Sequence, residues 1–220
     1  MSSQTRALQN INSYALQAKA QAQKSIDEIL RMTSFDHSRS VKVQSSLRSG
    51  ARVCLHFHPD RPARSALVAE CLLEEGIYRN QFETGISAGS VSAYAGGERD
   101  NWERAVFRGA YHRLGVKPAD RPKYGALNLI SSSDGPSPRF GSCFFVLKPT
   151  VTQRCTFTYR DSHQNPKEKG TIENFEYVFS ALLSDVFFNG QALGHSLTIP
   201  RLFDHLERHT EPWGAAAEAP

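Results

Sequence analysis

The sequence of 220 residues lacks the cysteine spacing that marks disulfide-rich domains and zinc sites. It contains four cysteines, and none of them belongs to a Cys-x-x-Cys pair. Each one lies in an apolar run, so the sequence predicts free, buried thiols in a reducing compartment. The four are Cys54, Cys71, Cys143 and Cys155.

Long apolar runs are also absent. No window approaches the roughly 18 apolar residues of a membrane span, and the N-terminus lacks the apolar segment of a secretion signal. We therefore expect a cytoplasmic protein with no membrane partner. Delivery into the cytoplasm of another cell, by a route without a cleaved signal peptide, would leave the same kind of sequence.

The charge is only mildly unbalanced. The net charge is +4 and the isoelectric point is about 8.9. This excess can attract a phosphorylated ligand but is too small to indicate nucleic acid, and no nucleic-acid partner is expected. The 40% of hydrophobic residues is enough for a buried core in a single domain.

Several common catalytic motifs are missing. The glycines form neither a phosphate-binding loop nor a Gly-x-Gly-x-x-Gly dinucleotide fingerprint. The Gly-x-Ser-x-Gly elbow of serine hydrolases is absent too, and no internal repeat is visible. These absences argue against P-loop, Rossmann and α/β-hydrolase activities.

The apolar spacing predicts an α+β fold. A long amphipathic helix over 4–32 precedes a polar, serine-rich loop over 33–50, and we assign these to an N-terminal segment, 1–50. A single domain over 51–210 contains a mainly antiparallel sheet with flanking helices, and 211–220 is a disordered tail. The predicted strands cover 52–58, 124–130, 141–147 and 151–159, and the last two are joined by a hairpin or a tight connection. Helices follow Ser65, Asp100 and Thr171 as caps. The first of them ends at Gly76, and a short last helix covers 202–206.

The first chemically capable cluster ends the strand over 52–58. His56 and His58 alternate along this strand, so both imidazoles can face one metal ion, with Asp60 close by. Such an ion requires further ligands, for which His112, His163, His195 and Asp161 are candidates. The alternative is that these histidines only donate hydrogen bonds to backbone.

The second cluster follows the next predicted helix. Gln81 and Glu83 lie in a turn beside small residues, where a carboxylate can stabilise an oxocarbenium-like centre during glycosidic bond cleavage. Arg61 precedes the same helix, and a guanidinium beside a helix N-terminus favours an anion. Tyr124 and Arg139 begin later strands, where they either line a pocket mouth or pack as turn and core residues.

These segments together resemble the NAD-binding half of ADP-ribosyltransferases. The resemblance rests on LHFHPDR at 55–61, EEGIY at 74–78 and FETGIS at 82–87. The strings RPKYGALNL and RFGSCFFVLKP are similar to those of a poorly characterised bacterial and fungal family that we associate with effector-type mono-ADP-ribosyltransferases. The resemblance implies a split antiparallel sheet, NAD as substrate and transfer of ADP-ribose to a protein side chain, plausibly arginine.

The resemblance also implies residue roles. The implied catalytic residues are Glu83, which stabilises the transition state, Gln81, which orients the acceptor, and Arg61, which also contacts NAD. The remaining NAD-binding candidates are His56, His58, Ser87, Ser90, Tyr124 and Arg139. Two later acids, Glu173 and Glu176, remain alternatives to Glu83.

Two other functions remain open. One is a metal-dependent hydrolase built on His56, His58 and Asp60. The other is a non-catalytic interaction protein whose surface is the first helix and the basic segment 36–52.

Overall fold

The computed structural model describes residues 1–86, 93–130 and 132–208, apart from the side chain of Ser162. Its helices are α1 (Ser3–Met32), α2 (His37–Gly50), α3 (Val68–Glu75), α4 (Gln81–Thr84), α5 (Glu98–Phe107), α6 (Pro149–Thr152), α7 (Glu176–Asn189) and α8 (Ile199–Arg208). Its strands are β1 (Val53–Phe57), β2 (Pro62–Ala63), β3 (Ala66–Leu67), β4 (Ala126–Leu127), β5 (Cys143–Val146), β6 (Thr156–Thr158), β7 (Lys169–Thr171), β8 (Gln191–Ala192) and β9 (His195–Ser196). The α+β class is confirmed.

The long first helix is confirmed, and it connects two hydrophobic cores. Near its start, Ala7 and Ile11 pack with Phe107 and Tyr111 around α5. Further along, the apolar residues of α1 pack with α7 and α8 in the larger core. Because one rigid helix contributes to both cores, α1 fixes their relative position. Residues 1–50 therefore share their packing with the rest of the chain.

The polar loop predicted over 33–50 is wrong for most of its length, because α2 covers His37–Gly50. Asp36 caps this helix by accepting a hydrogen bond from the Ser38 N–H at 2.9 Å. Val43 and Leu47 occupy one face and are buried in the larger core. Serine-rich composition indicated a loop, but two apolar residues at helical spacing were enough once α8 covered them.

The main sheet has the order β4-β1-β5, and both pairings are antiparallel. The predicted strand over 52–58 is confirmed as β1. The hairpin predicted between 141–147 and 151–159 is wrong, since β5 pairs with β1 whereas β6 pairs with β7. Pro149 begins the short helix α6 between them, and its fixed φ suits that first helical position.

Three predicted helix starts are also wrong. Helix α3 begins at Val68 rather than after Ser65, α5 begins before Asp100, and Thr171 ends β7 instead of capping α7. The end of α3 is confirmed, because Gly76 has φ 64°, the left-handed conformation that favours glycine. The helix predicted over 202–206 is confirmed as part of α8.

Of the four cysteines, all free, only Cys54 is fully buried, and Cys143 is exposed, contrary to expectation. Burial raises the pKa of the Cys54 thiol to about 11. Among the described residues, no helix has the length and apolarity required to cross a membrane. The predicted tail lies outside the described residues.

The packing of α2 generates the first prediction. Replacing Leu47 by alanine removes a side chain that is 2% exposed and should lower the free energy of unfolding by about 2–5 kcal/mol. Val41, which is 54% exposed on the same helix, is the matched control, and its replacement by alanine should change stability by less than about 0.5 kcal/mol. Urea unfolding measures both. Equal effects would contradict the packing described for α2.

Candidate functional site

A cleft of about 2170 Å³ lies between the main sheet, helices α3–α5 and the segment around β6. The two clusters identified in the sequence both line it. Tyr78 helps to bring them together, because its hydroxyl donates a hydrogen bond to the His56 carbonyl at 2.9 Å. Ser87 and Ser90 lie outside the described residues. The predicted site residues that line the cleft are His56, His58, Arg61, Gln81, Glu83, Tyr124 and Arg139.

His56 lies at the cleft wall, but both nitrogens of its ring form hydrogen bonds with backbone atoms. It is 6% exposed, its Nδ1 lies 2.9 Å from the Gly141 carbonyl, and its Nε2 lies 3.2 Å from the Ser137 nitrogen. Nδ1 therefore donates and Nε2 accepts. Gly141 approaches so closely that a Cβ there would lie 2.1 Å from the Phe57 carbonyl oxygen. In this arrangement His56 holds the loop 137–141 and has no nitrogen left for a ligand.

This geometry does not support the metal site considered for His56, His58 and Asp60. His56 has no free lone pair to share with His58. Within the described ranges, no group of three or more histidine, cysteine, aspartate or glutamate side chains is placed to hold a metal ion. The other candidates are separate: His112 pairs with Asp100, and His163 lies 3.6 Å from Asp161.

Arg61 lies at the amino end of α3, as the sequence predicted. Its carbonyl accepts a hydrogen bond from the Val68 N–H at 2.9 Å, and the Pro59 carbonyl accepts one from the Ala69 N–H at 3.0 Å. Glu70 accepts a third from the Leu67 N–H at 2.7 Å. Because these N–H groups already have acceptors, an anion here would interact with the Arg61 guanidinium and the helix dipole rather than with free amides.

Gln81 and Glu83 lie in the short helix α4 rather than in an open turn. The Asn80 side chain accepts hydrogen bonds from the N–H groups of Phe82 and Glu83, at 2.9 and 3.2 Å. Glu83 returns the interaction, since its Oε2 accepts from the Asn80 N–H at 2.9 Å. This is a capping box, and it fixes the orientation of the Glu83 carboxylate.

Cations surround the same carboxylate. Glu83 lies 3.5 Å from an Arg79 nitrogen and 4.0 Å from Lys123 Nζ. Arg79 also binds Glu75 at 2.8 Å. The Oε1 atom of Gln81 is different, because it is buried and has no hydrogen-bond partner in the described part of the chain. A buried acceptor without a partner costs about 1–3 kcal/mol, so it marks a place where a further donor fits.

A buried charge cluster, which the sequence patterns did not predict, lies beneath this wall of the cleft. The Arg121 guanidinium donates to both Asp100 and Glu103, and its contact with Glu103 measures 2.9 Å. His112 binds Asp100 at 2.9 Å, and the Tyr124 hydroxyl donates to Glu103 at 3.0 Å. The two acids are 3% and 0% exposed. Their spacing of three on a helix that also buries Val106 was the available signal.

The cluster shifts the pKa values of its members in opposite directions. Burial alone would raise the pKa of Asp100, but the Gly96 N–H and the Arg121 guanidinium together lower it below its ordinary value. Burial raises the pKa of Glu103 despite the hydrogen bonds from Arg121 and Tyr124. Burial and then the Glu103 charge raise the pKa of Tyr124 well above its usual value. Asp100 is therefore the firmly ionised partner of Arg121.

Arg121 connects this cluster to α4. Its guanidinium lies 4.2 Å from the centre of the Phe82 ring, which stands between Gln81 and Glu83 in the sequence. Asn80 Nδ2 donates to the Pro118 and Arg121 carbonyls at 2.7 and 3.3 Å. The cluster thus supports the helix that carries the two candidate catalytic residues.

The two later candidates have partners of their own. Tyr124 lines the cleft with part of its ring while its hydroxyl binds Glu103. Arg139 forms an ion pair with Asp161, and its guanidinium lies 4.5 Å from the centre of the Phe140 ring. Arg139 is 61% exposed in this pair, so the solvent screens the attraction.

The late acids lie elsewhere. Glu176 is buried and binds Lys19 and Arg48, each at 3.0 Å, where it fastens α1 and α2 to α7. Glu173 is exposed. Neither lines the cleft. Of the three acids considered for catalysis, only Glu83 lies on the same cleft as the first-strand residues.

Fold and site together define an α+β protein with a wide cleft, lined by both polar and apolar residues and supported by a buried charge cluster. The pattern of one protein family matches residues 52–217, and the chain belongs to that family, DUF3626, which is described as a protein of unknown function. A search of curated proteins finds no match. The matched region contains every residue assigned above to the cleft wall and to the charge cluster.

The charge cluster generates a prediction about pH. Since the folded-state pKa of Asp100 lies below the ordinary 3.8, its ionised form stabilises the protein above that pH, and the contribution is lost as pH falls through the folded-state pKa. At pH 7, Asp100→Asn should lower the free energy of unfolding by about 3 kcal/mol, because it leaves Arg121 with one partner fewer.

The measurement is urea unfolding of both proteins at pH 7, at pH 5 and at several values below 3.8. The exposed Asp134→Asn serves as the control, since Asp134 has no ion pair within the described ranges. The difference between wild type and Asp100→Asn should stay nearly constant from pH 7 to pH 5 and shrink below pH 3.8, as the Asp100 carboxylate is protonated. A difference that persists unchanged well below pH 3.8 would rule out an ionic contribution from Asp100.

Proposed function

We propose that this protein is an NAD-dependent mono-ADP-ribosyltransferase that transfers ADP-ribose from NAD to a protein side chain and releases nicotinamide. NAD is a substrate here rather than a resident cofactor. The acceptor that the site favours is arginine. The proposal makes the protein a glycosyltransferase of the effector type suggested by the sequence resemblance.

The observation that carries the proposal is the pairing of Gln81 with Glu83. A carboxylate in fixed orientation and a buried amide oxygen without a partner lie two residues apart on the cleft. A cation forming at ribose C1′ requires a negative charge that is already oriented, so that little reorganisation accompanies bond cleavage. The unpaired amide oxygen can accept a hydrogen bond from the group that attacks.

The chemistry is a substitution at C1′ of the nicotinamide ribose. The bond from C1′ to the nicotinamide nitrogen breaks, and its electron pair leaves with nicotinamide. Glu83 stabilises the resulting oxocarbenium-like centre. A nitrogen of the acceptor guanidinium then bonds to C1′ and loses a proton to Glu83 or to water.

The phosphates of NAD require cations on the cleft wall. Arg61 lies at the amino end of α3, and Arg139 is exposed on the loop that His56 holds. A guanidinium can bind two phosphate oxygens at once. We assign Arg61, Arg139 and His58 to NAD contact, and His56 and Tyr124 to positioning, because their polar atoms are occupied by Gly141, Ser137 and Glu103.

Arginine is favoured as the acceptor because a guanidinium already lies beside Glu83. Arg79 approaches to 3.5 Å, which is a contact that an acceptor arginine can reproduce from the open side of the cleft. The distance is longer than that of the Arg79–Glu75 pair, so Glu75 is the main partner of Arg79. Glu83 therefore retains capacity for a second guanidinium.

Glu83→Gln tests the central assignment. Glutamine can keep the capping box but loses the charge, so NAD affinity should remain while nicotinamide release falls by about 10²–10³-fold. Nicotinamide release is measured by chromatography, and NAD binding is measured by calorimetry. Glu98→Gln, which changes an exposed acid of the same cleft, is the matched control and should leave both values unchanged. Undiminished NAD cleavage by Glu83→Gln would exclude Glu83 as the catalytic acid.

Gln81→Leu tests the acceptor role separately. Leucine removes the unpaired amide oxygen, so the unfolding free energy should not fall, whereas transfer to a small guanidino acceptor such as agmatine should drop at least about tenfold. Nicotinamide release without an acceptor should be retained, because the C1′ cleavage step does not use Gln81. Parallel loss of hydrolysis and transfer would instead assign Gln81 to NAD binding.

A further inference from the structure

Two cations converge on one tyrosine ring on a part of the surface that does not line the cleft. The Arg108 guanidinium lies 5.2 Å from the centre of the Tyr14 ring, and Lys169 Nζ lies 5.8 Å from the same centre. The Tyr177 ring lies 6.3 Å from that of Tyr14. These residues come from α1, the end of α5, β7 and α7, so the fold brings them together from distant parts of the sequence.

Among the described residues, no acid forms an ion pair with either cation. In the described part of the chain, neither Arg108 nor Lys169 forms an ion pair or a side-chain hydrogen bond. Burial and then the charge of the adjacent Glu168 raise the pKa of Tyr177, and Glu168 forms no ion pair with either cation among the described residues. Burial, and then the Arg108 charge, lower the pKa of Lys169.

This arrangement of two cations destabilises the protein when no anion is bound. A half-buried ammonium group beside a guanidinium is unfavourable unless a negative charge lies close to both. Interaction with the dipole at the carboxyl end of α5 accounts for a cation at Arg108 but not for Lys169, which lies on a strand. The Tyr14 ring contributes only a modest cation–π attraction.

The backbone at Arg108 adds to this cost. Arg108 ends α5 in the left-handed conformation, with φ 50° and ψ 47°, where glycine is the favoured residue. An arginine is therefore present at a position where glycine would be more stable. Strain together with unneutralised charge is the pattern expected where binding, rather than stability, determines the residue.

We propose that Arg108 and Lys169, supported by Tyr14, form a binding site for a phosphate-type dianion that is separate from the cleft. Arg108 supplies a planar fork for two phosphate oxygens, and Lys169 supplies a compact charge. The ligand is either a free phosphate compound or a phosphorylated protein side chain. The two share the dianionic phosphate group and the same contacts.

Arg108→Gly is the decisive variant because binding and stability should change in opposite directions. In phosphate-free buffer it should melt at a higher temperature than wild type, since it removes both the strain and the like-charge repulsion. Inorganic phosphate should raise the melting temperature of wild type in a concentration-dependent way, beyond sodium chloride at matched ionic strength. Arg108→Gly should bind phosphate at least about tenfold more weakly.

Two further variants complete the test. Lys169→Met keeps the buried stem and should also lose the phosphate response, whereas the exposed Arg113→Ala, a nearby cation without an ion pair in the described chain, should keep it. A wild-type response no larger than that to chloride, or an undiminished response in Arg108→Gly, overturns the proposal.

The source of the phosphate is resolved by comparing inorganic phosphate, phosphoserine and phosphotyrosine as probes. Tighter binding of a phosphoamino acid supports a phosphorylated side chain as the ligand, and equal binding supports a free phosphate compound. Failure of all three to shift the melting temperature overturns the site. None of these measurements depends on NAD turnover, so the outcome is independent of the function proposed for the cleft.

Discussion

The interaction on which the site depends is the buried Arg121 guanidinium between Asp100 and Glu103. The Arg121 side chain is 11% exposed, and a charge with so little access to water requires acceptors for its donors, which the two acids provide beside the Phe82 ring. The same residue places the segment after Pro118 against α4 and α5. Together with the Asn80 hydrogen bond to the Pro118 carbonyl, this contact holds the Gln81–Glu83 helix at the cleft wall.

The second constraint is mechanical. Helix α1 contributes apolar residues to both hydrophobic cores, and Glu176 fastens it further through Lys19 while binding α2 through Arg48. The small sheet, with its short strands, contributes little to this connection. The wide cleft opens beside a rigid helical support, so its walls can present polar side chains that add little to stability. One apolar face of α1 and one of α2 are used in this internal packing, and the interaction surface considered for these segments stays a prediction.

Local patterns predicted the elements whose burial is periodic. The apolar stripe from Leu8 to Ile29 predicted α1, β-branched and aromatic alternation predicted β1, and Gly76 ended its helix as expected. Predictions failed where a segment distant in the sequence stabilises the element. The apolar face of α2 is buried by α8, and β5 pairs with β1 across about ninety residues of chain. Glu83 and Arg61 both line the cleft, and their catalytic and NAD-binding roles stay predictions; the capping box of Asn80 and Glu83 follows from a spacing of three residues that the sequence already contains.

The sequence by itself determined the α+β class, the long first helix, and the presence of two chemically capable segments around 56–61 and 81–83. These follow from side-chain periodicity and residue chemistry, which are local properties. Only the tertiary structure decided that both segments line one cleft. It also decided that both ring nitrogens of His56 form hydrogen bonds with backbone groups and that Arg121 lies between two buried acids. Hydrogen-bond partners and desolvation depend on residues far apart in the chain, and no local pattern encodes them.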